Sequence, residues 1–190
     1  MARSRWTAEN GFSLLEALVA TAIMTTALAA LAEMFVIGTQ SNHNARTTTF
    51  AATLAEQKME QLRGLTWGFD TLGLPLSDTS TDTTVVPASP TGGTGLAPSP
   101  AGTLSSNTAG YCDYLDVNGA SLGGGATAPP GTVYVRRWSI EPLPTNPNNT
   151  LVLQVLVTRN RDRGQADVVA GVGRLPDEAR VVTVKTRKAT

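Results

Sequence analysis

The sequence predicts an α+β protein: one long N-terminal helix, apolar over its first half and amphipathic over its second, packed on a small antiparallel sheet. Three observations predict it. Phe12 to Ile37 is almost wholly apolar or small. Gln40 to Arg63 keeps a helical period but shows only one apolar face. Residues 132–188 alternate as half-buried strands do. Residues 70–131, between helix and sheet, are crowded with Ser, Thr, Pro and Gly.

At 190 residues the chain has room for one domain with an extension. Lys+Arg 15 and Asp+Glu 15 cancel, so the basic excess of a nucleic-acid footprint is missing and the balance argues against a nucleic-acid partner. Charged residues make up 16% and aromatics 5%, with 18 Gly and 11 Pro, a loop-rich surface composition rather than that of a compact cytosolic enzyme. The lone cysteine, Cys112, rules out an internal disulfide and leaves the redox compartment open.

As a helix, Phe12 to Ile37 would measure about 39 Å at about 1.5 Å per residue, enough to cross a bilayer core of about 30 Å with some tilt. Arg3, Arg5 and the amino terminus precede it and set the N-terminus on the cytoplasmic side. A cleaved secretory signal would have an apolar region of only about 7 to 15 residues. Glu16 lies four positions after Phe12, near the cytoplasmic headgroups, where a carboxylate costs less than at the bilayer centre. Glu33 lies near the other end of the run. Thr21, Thr25 and Thr26 are placed to bond backbone carbonyls and loosen the helix locally.

The second half carries Ala51, Ala55, Met59 and Leu62 on one stripe, widened by Phe50 and Leu54. Glu56, Gln57, Glu60, Gln61 and Arg63 take the other face, and Gly64 is a stop. From Phe12 to Arg63 the helix would run on the order of 75–80 Å. In the head, strands are expected at 132–140, 150–159 and 180–188. Leu151, Leu153, Val155 and Val157 share one face, and Val182 and Val184 share a buried one. A fourth strand is expected around Tyr111 to Val117. The links at 142–149 and 162–178 are turn-rich. Residues 70–131 have little to bury, so much of the stretch is expected to be mobile, and its Ser, Thr and Pro content would accept O-glycans on an extracellular surface. Trp67 and Trp138 are expected between helix and sheet.

No catalytic constellation emerges. Asp116, Asn118 and Gly119 match part of a calcium loop without its remaining acidic ligands, and a turn before a strand is the simpler reading. His43 lacks a second metal-ligand candidate, and Cys112 lacks a histidine partner. The arginines of 158–164 are interrupted by Asp162 and read as a solvated hairpin turn. The expectation is no enzymatic activity, no cofactor and no metal.

The short basic leader through Gly11, then Phe12, Ser13, Leu14, Leu15, Glu16 and an unbroken apolar run, resembles the N-terminal signal of type IV prepilins and pseudopilins. The resemblance implies that a membrane prepilin peptidase cuts between Gly11 and Phe12 on the cytoplasmic side and methylates the Phe12 amine. It makes Glu16 the acidic residue of the motif, placed to neutralise that amine on a neighbouring subunit, since an unpaired charge in lipid is strongly unfavourable. It implies a pilin-like architecture: leader 1–11, transmembrane and filament-core half-helix 12–38, amphipathic half-helix 39–64, variable loop region 65–131, and antiparallel sheet head 132–190. The chain departs from many major pilins in having no proline between residues 12 and 74, which fits a minor subunit better.

"LAEQKMEQLRGL" and "YVRRWSI" look most like minor pilins of the pilus-modification type. The implied partners are other pilin subunits, prepilin peptidase, the inner-membrane assembly platform and, before assembly, the lipid bilayer. The implied location is the inner membrane, single-pass with a cytoplasmic N-terminus, then a surface or periplasmic filament. The filament would serve adhesion, motility or DNA uptake. Two rivals share the sequence: a minor pseudopilin of a type II secretion system, and an uncleaved single-pass protein with a binding head.

Overall fold

The computed structural model describes residues 13–160 and 178–187. Packing divides the chain into two compact units, Met1–His43 and Asn44–Thr190.

One helix, α1, runs Leu14–Gly64 over 51 residues, within two residues of the predicted ends. Ser13 caps it, its Oγ accepting from Leu15 N at 3.3 Å. Within the first unit every described helical residue is exposed, Leu14 at 88% and Phe35 at 77% among them. Within the second, Ala51, Leu54, Ala55, Met59 and Leu62 are buried, the face their spacing predicted, with Phe50 packed at its margin. The helix stops at Gly64, where Lys185 Nζ donates to the Arg63 carbonyl and satisfies one of the terminal acceptors.

Among the described residues, every strand pairing in the head is antiparallel. A small sheet pairs β1 (Trp67–Phe69) with β2 (Pro75–Ser77). The main sheet has five strands: β3 (Cys112–Leu115), β4 (Ser121–Gly124), β5 (Tyr134–Pro142), β6 (Thr150–Arg159) and β7 (Ala179–Thr186), in the order β4-β3-β5-β6-β7. The strand expected near Tyr111 exists as β3, and it brings a partner, β4, from the same stretch. Leu151, Leu153, Val155 and Val157 line the inner face as predicted, against Trp138, Ile140 and the buried face of α1. Removing about 25 cal/mol per Å² of apolar surface from water along this interface is what holds the helix to the sheet.

Two expectations are corrected. Val182 and Val184 are exposed, at 55% and 57%. They stand opposite Gln154 and Val152, residues of the outer face of β6, and opposite residues in a pair share a face. Val181 and Ala179 point inward instead. The run of valines permits either phase, and a one-residue slip exchanges the faces.

The stretch 70–131 is also built in rather than loose. Leu96 and Tyr111 are buried in the main core. The Tyr111 hydroxyl reaches the carbonyls of Ala97 and Pro98 at 3.0 Å each, and Ser99 pairs with Ile140 through its backbone N–H and its hydroxyl. The Asp78 carboxylate accepts from Ser80 N, Thr81 N and Thr81 Oγ1, and Asp82 from Thr84 N and Oγ1. Burial raises the Asp78 carboxyl, but the bonds from Thr81 and Ser80 outweigh it and hold the group below its ordinary value. Gly93 packs so closely that a Cβ would stand 2.2 Å from the Asp82 Cα. Composition suggests mobility, whereas short-range Asx and hydroxyl bonds fix the path.

Asp116 makes the predicted turn. Its Oδ1 accepts from Asn118 N and Ala120 N at 2.8 Å each, and Gly119 takes a φ of +81° that favours glycine. Trp138 lies fully buried between helix and sheet. Trp67 is only half-buried at the core margin, with the Arg187 guanidinium 3.6 Å above its ring. Of the arginines in 158–164, Arg161 and Arg163 lie outside the described residues, as does most of the link 162–178.

Candidate functional site

The residues singled out by sequence sit at the start of α1. Gly11 and Phe12 lie outside the described residues. Glu16 occupies the first helical turn, exposed, where a carboxylate complements the partial positive charge of the helix N-terminus. Ser13 immediately before it supplies the cap that fixes the helix start. Leu14, Leu15, Leu18 and Val19 surround Glu16 in sequence and are all exposed. The apolar part of the helix is long enough to cross a membrane, and its apolar window is exposed among the described residues. Glu33, near the far end of the run, is exposed as well.

The threonines of this segment make the expected bonds to backbone carbonyls, while α1 runs through them unbroken. Thr21 Oγ1 reaches the carbonyls of Ala17 and Leu18 at 2.9 Å each. Thr25 reaches Ala22 at 2.9 Å, and Thr26 reaches Ala22 at 3.0 Å and Ile23 at 2.9 Å. Turning their hydroxyls back onto the helix lets three polar side chains sit in an otherwise apolar run without an unsatisfied donor.

Sequence reasoning missed a second feature, in the head. Lys58, Asp113 and Arg136 meet between helix and sheet, each no more than 3% exposed. Arg136 grips Asp113 side-on, Nε to Oδ1 at 2.9 Å and Nη2 to Oδ2 at 2.8 Å, while its Nη1 donates to the Leu54 carbonyl at 3.0 Å. Lys58 Nζ stands 2.9 Å from Asp113 Oδ2, donates to Gln61 Oε1 at 3.1 Å and to the Thr83 carbonyl, and lies 3.9 Å from the centre of the Trp138 ring. Desolvation pulls the Lys58 ammonium down to about 8, with Asp113 opposing and Arg136 assisting. A signal does exist in the sequence: Lys58 falls next to Met59 and four positions from Leu54, inside the apolar stripe. Alone it reads as a solvated lysine; only Asp113 and Arg136, opposite each other on β3 and β5, bring it inward.

His43 is exposed on the helix. Cys112 is buried, its Sγ 2.9 Å from the Gly125 carbonyl. Neither lies in a group of three or more residues that could hold a metal, among the described residues.

A helix with an uncovered apolar half and a half that folds onto an antiparallel sheet is the architecture the N-terminal string implied. The prokaryotic N-terminal methylation motif matches residues 6–32, a span that contains Gly11, Phe12 and Glu16. The chain thus carries the type IV prepilin-like signal. The motif points to a protein of pilin or pseudopilin type, and it implies processing by prepilin peptidase and assembly with other pilins. With the long apolar helix it is consistent with an anchor in the inner membrane. Neither a curated protein nor a solved structure matches the chain.

Proposed function

We propose that the chain is a structural subunit of a type IV pilus-like filament, a minor pilin acting in assembly initiation or at the tip. The observation that carries this is the prepilin-type signal over residues 6–32 leading into a helix whose apolar first half is exposed among the described residues. The peptide bond between Gly11 and Phe12 is the cleavage site, and Phe12 becomes the methylated N-terminus. Before assembly the exposed apolar half-helix sits in the inner membrane with its N-terminus cytoplasmic. The assembly platform then transfers it from lipid into the filament core, where other helices cover it.

Glu16 sets the register of that transfer. Cleavage leaves a cationic amine at the end of an apolar helix, and a carboxylate four residues along the neighbouring subunit neutralises it. The absence of proline between residues 12 and 74 supports a minor rather than a major subunit. The role is structural, without catalysis.

Mass spectrometry of the mature chain tests the processing: a chain beginning at N-methylated Phe12 is expected, and one beginning at Met1 or Ala2 refutes it. Glu16→Ala should insert into the membrane normally and be lost from sheared filaments; unchanged incorporation refutes the pairing. Immunogold labelling confined to filament ends would confirm the minor position, and labelling along the whole shaft would refute it.

A further inference from the structure

The buried charge cluster of the head adjoins a cavity of about 430 Å³, and Arg136 belongs to both. Gln57 and Gln61 of α1 line one side of the cavity, and Leu115, Gly119 and Ser121 of the β3–β4 hairpin the other.

The cluster is short of negative charge, because two cations share one carboxylate. The three N–H groups of Lys58 are all committed, to Asp113, Gln61 and Thr83. Arg136 has five N–H groups and commits three, two to Asp113 and one to Leu54. One N–H is left on each terminal nitrogen. The other carboxylate acting on Lys58, that of Asp82, does so least of all its neighbours and is bonded to Thr84 N and Oγ1. A buried guanidinium with two uncommitted donors, beside an open space and an uncompensated positive charge, has the chemistry of an anion receptor. Gln61 spends only its Oε1 on Lys58, which leaves its amide N–H groups to donate.

We propose that this cavity binds a carboxylate, held by the two remaining N–H groups of Arg136 and flanked by the amides of Gln57 and Gln61 and the hydroxyl of Ser121. Its volume admits a small organic acid, or an acidic residue together with its neighbours in a peptide. The site is independent of the filament reading, since it uses only the head.

The test is a titration of the full chain in detergent micelles, read by the side-chain amide resonances of Gln57 and Gln61. N-acetylglutamate should give saturable shifts, and neutral N-acetylglutamine at equal ionic strength should bind at least tenfold more weakly. Gln61→Glu is close in shape to the native residue and places a carboxylate on Lys58. It should raise the thermal midpoint of the head and weaken N-acetylglutamate binding at least tenfold. A blocked Ala-Ala-Glu-Ala-Ala peptide separates the sources. Binding tenfold tighter than N-acetylglutamate assigns the site to an acidic side chain of a protein partner, and equal or weaker binding assigns it to a free acid. No saturable shift, an equal response to the neutral amide, or unchanged affinity in Gln61→Glu overturns the proposal.

Discussion

Residues 14–43 and 44–64 are one α-helix by backbone and opposites by environment. In the first stretch every described side chain is exposed and apolar residues face all directions. In the second, six residues are buried, five of them apolar and the sixth Lys58. Helical dihedrals alone therefore do not reveal what stabilises a helix. An isolated helix in water is held weakly by its own hydrogen bonds, and most of its stability in proteins comes from what it packs against. The second stretch finds that support in its own sheet. The first is left uncovered by the described residues, and its apolar surface stays exposed. Glu16 and Lys58 mark the same contrast: one charge is exposed on the helix, while the other is enclosed with Asp113 and Arg136.

The largest test of the enclosed half is Asp113→Asn. It leaves two buried cations without their carboxylate and should destabilise the head by about 3–5 kcal/mol. Fluorescence of Trp138 during urea unfolding would report it, and a loss under about 1 kcal/mol would show that the cluster is hydrated rather than buried. Lys58→Met is the matched control. It leaves Asp113 and Arg136 as a balanced pair and removes the buried ammonium, so at pH 7 the head is expected to be unchanged or stabilised, by up to about 3 kcal/mol.

The same pair predicts a pH dependence. Burial lowers Lys58 from 10.5 to about 8. Between those values the unfolded chain binds more protons than the folded one, so this group makes the head more stable as pH rises. Below pH 8 the penalty for burying the ammonium is fully present, and above 10.5 it is gone. The gain across the window is on the order of 3 kcal/mol. Unfolding midpoints measured across that window in the wild type and in Lys58→Met should differ in slope, the variant being flatter. Equal slopes would mean that Lys58 titrates as an ordinary lysine.

What the sequence makes legible follows the same division. Periodicity locates the helix, its buried face and the inner face of β6, because a large apolar excess on one side of an element admits one phase only. It fails at β7, where Val181, Val182 and Val184 fit both phases and pairing with β6 decides. It fails over 70–131, where composition resembles a linker but a few anchors, Leu96 and Tyr111 chiefly, tie local Asx turns to the core. Lys58 falls inside the apolar stripe, yet its burial is not legible, because its two partners lie at sequence distances that no local pattern spans. The N-terminal string is legible for a different reason. Its meaning lies in a short contiguous motif and not in tertiary contacts, so Gly11, Phe12 and Glu16 stand out from the order of residues alone.

Gly38 sharpens the contrast from the uncovered side. It sits inside α1, exposed, and a Cβ there would meet nothing within 4 Å. Gly38→Ala should therefore strengthen the local helix by about 1 kcal/mol through backbone entropy alone. Hydrogen exchange of the full chain in micelles would show slower exchange for the amides of residues 39–44. The head, whose stability comes from its own packing, should keep its unfolding midpoint, and a shift there would show that the two stretches are energetically coupled.

The smallest effect is expected at the solvent side of the enclosed half. Glu60 and Arg63 form a 2.8 Å ion pair with side chains 69% and 56% exposed. At that exposure the attraction is screened by water and offset by the entropy of holding two long side chains, so the pair contributes under about 0.5 kcal/mol. Alanine is also the better helix former, which offsets part of the loss. Glu60→Ala should leave the urea midpoint of the head unchanged within error in low and high salt alike. A salt-dependent loss above about 1 kcal/mol would mean that the Arg63 end of α1, where Lys185 holds the carbonyl, depends on surface charge and not on the buried face.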